Sequence, residues 1–172
     1  MIYTDLKLSL NHDDFLSPTS EQKFNLGEKI TINRGLDDSL YSSTYVYIRC
    51  PEGLADRPFN AYCPYMIGTN FELDQYATPY EPNNVDVICT QFYMTAGQYG
   101  FALYQGEGLF LMEGTGDALR GAYVKAEGDI GEWGYQTSRV GATAGFVSET
   151  SDRSEPVKCV LFGHEVNVSP VA

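Results

Sequence analysis

The feature that most constrains the fold of this 172-residue chain is a run of short apolar blocks separated by glycines, between residues 97 and 163. Apolar side chains alternate within the blocks, so a period of 2 fits them better than the 3.6-residue period of a helix. Closely spaced strands with turn residues between them are typical of a β-sandwich or a small barrel. Strands are therefore predicted at residues 99–105, 109–113, 118–126, 133–137, 140–147 and 156–162.

Three further strands are predicted upstream of this stretch, at residues 24–32, 41–50 and 85–93. The clearest of them is 41–50, because its side chains alternate regularly and Pro51 ends it. A strand sends alternate side chains to opposite faces. One face is therefore predicted to carry Tyr45, Tyr47 and Arg49, and the other Val46, Ile48 and Cys50.

The pattern divides the chain into four segments. Residues 1–23 form an N-terminal arm, 24–50 are strands joining the core, 51–84 are a loop-rich aromatic insertion, and 85–172 are the glycine-punctuated β domain. The predicted fold is thus all-β, a small β-sandwich or barrel-like domain with an extended N-terminal arm and a loop-rich aromatic insertion.

Each of these assignments leaves an alternative open. The arm is equally compatible with an edge strand on the chain's own sheet. The aromatic residues of 51–84 are compatible with capping the open ends of the β domain. Residues 54–58 and 71–76 each suit one or two helical turns. The tail, with Val166, Val168 and Val171 in alternation, suits a last strand or pairing with a neighbour.

The charge balance narrows the classes of partner. Twenty-three acidic residues against 11 basic ones give a net charge of −12, and no basic patch is present to neutralise phosphates, which argues against direct nucleic-acid binding. The acidity serves solubility, or it suits a more basic surface on another protein. No run of about 18 apolar residues suggests a membrane span, and no secretory signal begins the chain, so a protein made in the cytoplasm is expected.

The cysteines are predicted to be free thiols. Cys50, Cys63, Cys89 and Cys159 are widely spaced and contain no C-x-x-C pair. Three of them lie in strand patterns, where a free cysteine behaves as a small buried hydrophobe. No disulfide, metal or other cofactor is expected.

No catalytic set can be assembled from the sequence. The two histidines, His12 and His164, lie near the termini in polar sequence, and no nucleophile motif is present. The segment 11–14 lacks the spaced oxygen ligands of a calcium loop. The segment 114–116 does not complete a phosphate-loop motif and is predicted to be a hairpin turn.

The remaining acidic pairs and the single tryptophan also favour a non-enzyme. Glu127 with Asp129, and Glu149 with Asp152, lie in turn sequence, whereas a glycosidase places its two carboxyl groups in an aromatic cleft. Trp133 lies inside a strand pattern, which favours a role in core packing. A small β-fold hydrolase is thus the least supported of the functions considered.

The glycine-punctuated stretch also carries a family resemblance. Gly97-Gln98-Tyr99-Gly100-Phe101, continuing through Tyr104-Gln105-Gly106-Glu107-Gly108, is followed by the steps 122–129 and 140–144 and a closing strand. This succession resembles the β domain of capsid decoration (cement) proteins of tailed bacteriophages, and residues 24–50 resemble their amino-terminal part more faintly. Residues 51–90 resemble nothing in that family. The matching motifs are glycines and alternation, with no chemistry in them.

The resemblance implies a structural role in the virion. Such a protein binds the outer surface of an assembled phage capsid and stabilises it by bridging major coat protein subunits. Its partners are the major capsid protein and copies of itself, as a dimer or trimer on a symmetry axis. An alternative hypothesis is a phage tail or fibre module that binds a host glycan or protein through the aromatic stretch.

Interface anchors are predicted from the apolar residues of the arm and the aromatic residues of the insertion, because a few buried aromatics dominate most interfaces. The candidates are Ile2, Tyr3, Leu6, Leu8, Phe59, Tyr62, Tyr65, Phe71, Tyr76 and Tyr80.

Overall fold

The computed structural model describes residues 17–32, 42–52, 61–68, 70–76, 87–126, 131–138 and 141–168, with side chains omitted for 74–76, 141–142 and 164–168. This part of the chain forms strands and contains no helix, so none is long and apolar enough to cross a membrane. The strands are β1 (Lys29–Ile32), β2 (Ser43–Arg49), β3 (Pro64–Ile67), β4 (Leu73–Tyr76), β5 (Val87–Thr90), β6 (Tyr99–Phe110), β7 (Asp117–Ala118), β8 (Tyr123–Lys125), β9 (Gly134–Gln136), β10 (Gly141–Val147), β11 (Ser151–Asp152) and β12 (Val157–Val168). The predicted all-β class is confirmed.

Ten of the strands form one antiparallel sheet that is divided by β6. The first half of β6, residues 99–105, pairs with β2 and β5, and its second half, 106–110, pairs with β12. We call β1, β2, the first half of β6, β5, β3 and β4 the curled layer. We call the second half of β6, β12, β10, β8 and β9 the second layer. The short strands β7 and β11 pair with each other.

Gly106 lies where β6 passes from one layer to the other. Its φ is +102°, and a Cβ there would lie 2.2 Å from the carbonyl oxygen of Ser42. The next contact along is a hydrogen bond from the buried Ser43 hydroxyl to the Glu107 carbonyl, 2.8 Å long. Only a residue without a side chain lets the two strands approach so closely at a positive φ.

The core consists of two clusters, one on each face of the curled layer. The first fills the space between the two layers and includes Tyr45, Tyr47, Phe110 and Trp133. The second lies on the other face and includes Val46, Ile48, Cys50, Cys63, Tyr65, Leu73, Ile88, Met94 and Ala102. The alternation predicted for β2 is therefore confirmed, and both of its faces are buried.

The second cluster is enclosed because the curled layer bends back on itself. Glu72, just before β4, forms a parallel bridge with Arg49 at the end of β2. The Arg49 amide donates to the Phe71 carbonyl at 3.1 Å. The segment that enters β4, at one end of the strand order, thus meets β2, next to the other end, so the layer is barrel-like in shape although it is not fully closed.

Two predicted segments differ in the structure. Residues 71–76, for which a helical turn was considered, contain strand β4. The described part of the predicted loop-rich insertion forms the β3–β4 hairpin, paired to β5 within the main sheet. Pro64 favoured a loop in the sequence, because proline cannot donate a hydrogen bond within a sheet. It is the first residue of β3, a position where its missing N–H is tolerated.

The bounds of other strands also differ from the predicted ones. The predicted strand 118–126 is two strands, β7 and β8, separated by a turn at Gly121 with φ +85°. The predicted strand at 109–113 begins inside β6. The tail alternation at Val166 and Val168 belongs to β12, which continues to Val168 against β10. Val171 lies outside the described residues.

The Gln91 side chain bonds to the second half of β6 in the way that the backbone of a neighbouring strand would. Its side-chain oxygen accepts from the Leu109 amide at 2.9 Å, and its side-chain nitrogen donates to the Leu109 carbonyl at 3.1 Å. Gly108 leaves room for this side chain, since a Cβ there would lie 2.9 Å from the Gln91 oxygen. The amide group therefore covers two backbone groups at a sheet edge.

We expect Gln91→Leu to lower the free energy of unfolding by about 2 kcal/mol, because leucine fills the space but leaves the Leu109 N–H without a partner and its C=O with only the weak bond from the Cys89 thiol at 3.4 Å. Urea denaturation monitored by the fluorescence of Trp133 measures the change. Gln98→Leu is the control, since its amide accepts only from the exposed Thr95 N–H. Equal losses in the two variants would contradict the proposed role of Gln91.

Candidate interaction surface

The predicted anchors separate into three groups. Six lie outside the described residues: Ile2, Tyr3, Leu6, Leu8, Phe59 and Tyr80. Tyr76 is the last residue of β4, and its side chain is not described. Tyr62, Tyr65 and Phe71 are described with their side chains, and they occupy three different environments.

The prediction that Tyr65 is a surface anchor is corrected, because this residue lies in the core. It is 1% exposed and belongs to the cluster enclosed by the curled layer. As the second residue of β3 it alternates inward, opposite the buried Ile88. A surface anchor must be accessible to its partner, so Tyr65 is removed from the candidate contact residues.

Tyr62 links the two layers through its backbone. Its φ is +68°, in the left-handed region that few non-glycine residues adopt. Its carbonyl accepts from the Trp133 indole at 2.9 Å and from the Leu111 amide at 2.8 Å, and its amide donates to the Thr90 carbonyl. These bonds fix the strained backbone and orient the fully buried Trp133, whose predicted core role is confirmed.

Phe71 is the most exposed of the three anchors whose side chains are described, since Tyr62 is half-buried and Tyr65 is buried. It is 36% exposed and has a φ of +59°. Its amide donates to the Gly68 carbonyl at 3.0 Å, so it closes the turn between β3 and β4. One side of its ring rests on Gly27, where a Cβ would lie 2.5 Å from two ring atoms. The ring is therefore supported on one side and stays partly accessible to a partner.

Charged residues lie next to the Phe71 backbone, since Glu72 follows it in the chain and the Arg49 amide donates to its carbonyl. Arg49 pairs with Glu52 at 3.1 Å and with Glu72 at 3.2 Å, and its guanidinium carbon lies 5.7 Å from the centre of the Tyr99 ring. One guanidinium between two carboxylates leaves the local charge at −1. The Glu52 side chain is 77% exposed, so a basic group on a partner has access to it.

Other exposed apolar side chains were missed by the sequence reasoning. Tyr93 is 52% exposed, Leu119 53% and Leu109 39%. No sequence signal distinguishes them, because each lies in an ordinary strand or turn pattern. Single exposed apolar residues are also normal on protein surfaces. Among the described residues, Phe71 differs from these three by its positive φ.

The outer face of the second layer carries a mixed charged and aromatic patch. The Lys158 ammonium lies 3.4 Å from the Glu107 carboxylate and 3.7 Å from that of Glu149. The Glu107 side chain is only 5% exposed. Phe146 and Phe162 pack beside it with ring centres 5.9 Å apart, both half-buried.

The turn at residues 114–116 is built around an arginine. Arg153 donates from its side chain to the carbonyl oxygens of Glu113, Thr115 and Gly116, and lies 4.5 Å from the centre of the Tyr135 ring. The turn is not the predicted hairpin, since β7 after it pairs with β11. Its carbonyl groups face a cation, which is the opposite polarity from a phosphate loop.

All four cysteines are free and buried. Burial raises the pKa of Cys50 to about 11, and burial followed by the charge of Glu132 raises the pKa of Cys63 to about 12. Burial also raises the pKa of Cys89 and of Cys159 far above the ordinary value. Since the thiolate is the reactive species, these positions favour inert thiols.

The other candidate ligand groups do not assemble in the part of the chain that is described. No group of three or more histidine, cysteine, aspartate or glutamate side chains there is arranged to hold a metal ion. Of the two acidic pairs considered, Glu127 and Asp129 lie outside the described residues. The pKa of the exposed Asp152 is lowered, chiefly because it accepts from the Ser154 amide.

Comparison of the chain with protein-family models, with curated proteins and with solved structures gave no match. The likeness to capsid decoration proteins therefore depends on the sequence motifs alone.

Proposed function

We propose that this protein is a structural virion protein that binds the outer surface of an assembled phage capsid and stabilises it by bridging coat subunits. The observation that carries the proposal is Phe71, an aromatic side chain that is 36% exposed, rests on Gly27 and has a backbone φ unfavourable for phenylalanine. A non-glycine residue at positive φ costs about 1 to 2 kcal/mol and persists where the surrounding structure or function requires it. Rigid aromatic anchors bind well because little side-chain entropy is lost.

The charge distribution supports the same proposal. The net charge of −12 and the accessible Glu52 suit a partner with a more basic surface. The likeness of residues 97–163 to decoration proteins supplies the identity of that partner, the major capsid protein. Synthesis in the host cytoplasm followed by binding to the finished shell completes the proposal.

Binding of this kind acts through mass action. A protein that binds the assembled shell but not its separated subunits stabilises each site by RT ln(1 + [L]/Kd), about 2.7 kcal/mol at a hundredfold excess over Kd. Contacts to two or more coat subunits, or to copies of itself, add avidity. Decorated shells should therefore melt at a higher temperature than bare ones at fixed salt.

The first experiment compares melting of undecorated shells from the parent phage with and without this protein, and locates the protein by electron microscopy. Density over the shell together with a raised melting temperature is the expected result. An unchanged melting temperature with density at the tail would move the assignment to the host-binding tail or fibre module.

A variant tests the anchor itself. We expect Phe71→Asn to weaken binding to shells at least tenfold while changing the free energy of unfolding by about 1 kcal/mol or less. Asparagine tolerates positive φ, and the strain it relieves offsets much of the lost ring packing. Cosedimentation with shells measures the affinity, and urea denaturation measures the stability.

Tyr93→Ser is the matched control, because Tyr93 is an exposed aromatic that does not have a positive φ. It should bind shells as the wild type does. Normal decoration by Phe71→Asn would place the contact elsewhere, with the outer face of the second layer around Lys158 as the next surface to test.

A further inference from the structure

Strand β1 has an outer edge whose hydrogen-bonding groups face away from the sheet. A turn from Asn25 to Glu28 leads into it, and Gly27 with φ +82° forms a bulge opposite Tyr47. The Tyr47 amide donates to the Glu28 carbonyl at 2.9 Å. Because residues in an antiparallel pair alternate between bonded and non-bonded positions, the next bonded pairs are Ile30 with Tyr45 and Ile32 with Ser43.

The backbone N–H and C=O groups of Lys29 and Thr31 therefore point outward. Among the described residues they have no hydrogen-bond partner, and both residues are exposed. Two residues of this kind, spaced two apart on an edge strand, are a template for another extended chain.

The side chains of these residues do not protect the edge. Proteins often block exposed edges with an outward lysine, a proline or an inward charge. Here the Lys29 ammonium is drawn across the sheet to within 3.4 Å of the Tyr104 ring centre. The Thr31 hydroxyl is paired with that of Thr44 at 2.9 Å. The sequence Lys-Ile-Thr-Ile contains no proline.

The open edge leads to the exposed aromatic ring. The segment leading into β1 and Phe71 form hydrogen bonds to the same side of β2, one after the other. The Gly27 amide donates to the Tyr47 carbonyl, and the Phe71 carbonyl accepts from the Arg49 amide. The Phe71 ring rests on Gly27, so an added strand that runs along β1 reaches this ring at its end. Backbone pairing supplies affinity in such complexes, and a side-chain contact at a fixed position supplies register and specificity.

We propose that the outer edge of β1 accepts an extended segment of a coat subunit as an added strand, with an apolar residue of that segment on Phe71 and a basic residue near Glu52. This inference rests on the proposed function and specifies how the shell is recognised. A partner of opposite charge is favoured over a second copy of this chain, because each copy carries −12 and the copies repel one another.

Proline at position 31 tests the edge selectively. Thr31→Pro removes an outward N–H but none of the bonds from β1 to β2, and proline is tolerated on edge strands in this orientation. We expect at least tenfold weaker binding to undecorated shells in cosedimentation. Thr31→Val, which also loses the hydroxyl pair with Thr44 but keeps the N–H, should bind within about twofold of the wild type.

Hydrogen exchange supplies a readout that a general loss of stability does not imitate. In the free protein the amides of Lys29 and Thr31 should exchange quickly, while those of Ile30 and Ile32 stay protected. Shell binding should protect all four, as measured by mass spectrometry of peptides that span residues 28–32.

The outcomes separate the two proposals. Normal shell binding by Thr31→Pro, together with wild-type Lys29 and Thr31 amides that stay unprotected on shells, would overturn the edge proposal and leave the capsid function standing. Protection that rises with the concentration of the free protein would identify a second copy as the occupant and also overturn it. Failure of the wild type to bind shells at all would overturn the proposed function. It would also overturn the proposal that a coat segment occupies the edge of β1.

Discussion

Gly106→Ala is expected to lower the free energy of unfolding by about 4 kcal/mol. Two penalties add: a side chain at positive φ costs about 1 to 2 kcal/mol, and forcing an extra methyl group into a packed site costs about 1 to 3 kcal/mol or more. At Gly106 the new Cβ would lie 2.2 Å from the Ser42 carbonyl oxygen and 2.6 Å from the Ser43 Cα. Both are backbone atoms, so no side-chain rotation relieves the contact.

Gly121→Ala separates these two penalties. Gly121 has a φ of +85°, close to that of Gly106, but a Cβ there would meet nothing within 4 Å. Its replacement should therefore cost only about 1 kcal/mol. Urea denaturation of both variants, followed by the fluorescence of the single tryptophan Trp133, measures the difference. If the two variants lose similar stability, the close approach of β2 to β6 at Gly106 is not what the structure indicates.

The glycine positions made part of this fold predictable from the sequence. The glycine punctuation marks the strand stretch correctly, because glycine in a strand interior signals a bulge or a close backbone approach. Gly106 and Gly145 are examples, since a Cβ at Gly145 would lie 2.1 Å from the Val160 carbonyl oxygen. The two faces of β2 were also predictable, because the side chains of a strand point alternately to opposite faces and apolar residues occupy both sets of positions.

The β3–β4 hairpin was not predictable by the same reasoning. Its strands are four residues long and lie among prolines and aromatic residues, so local pattern favours a loop. Their pairing is decided by partners distant in sequence: Tyr65 lies opposite Ile88, and Glu72 bridges to Arg49. Tertiary contacts of this kind override local propensity, which is why Tyr65 was expected at the surface but is buried.

The candidate contact surface was predictable only in part. Composition pointed to Phe71 as one of ten aromatic or apolar anchors. Its positive φ depends on the turn that begins at Gly68, and its support depends on Gly27, some 44 residues earlier in the chain. The open edge of β1 follows from hydrogen-bond alternation set by the Gly27 bulge. Neither feature has a signature in a single sequence, because both arise where separate segments meet.

The buried thiols are expected to make the protein sharply less stable in alkali. A group whose pKa is raised on folding contributes stability that is complete below its unfolded pKa, near 9, and is lost as the pH rises toward the folded value. For Cys50 and Cys63 the folded values are about 11 and about 12, and for Cys89 and Cys159 the pKa is also strongly raised. All four therefore act in the same direction above pH 9.

The expected size follows from the ionisation of the unfolded chain. At pH 10 an unfolded thiol is about 90% ionised while its buried counterpart stays protonated, which removes about 1.4 kcal/mol per thiol relative to pH 8. Four thiols together remove about 5 to 6 kcal/mol, comparable to the whole stability of many domains. Tyrosines also ionise in this range, and the chain has 13 of them. Wild-type data alone therefore do not isolate the thiols.

Variants that remove thiols isolate them. The double variant Cys50→Ala and Cys159→Val should lose about 2.8 kcal/mol less than the wild type between pH 8 and pH 10, each protein being compared with its own value at pH 8. Denaturation with urea at several pH values measures both losses. Tyr93→Phe, which removes an exposed phenol, should leave the wild-type loss unchanged. If the double variant declines as steeply as the wild type, the buried thiols ionise without unfolding, and the two clusters that enclose them are more open to water than their burial implies.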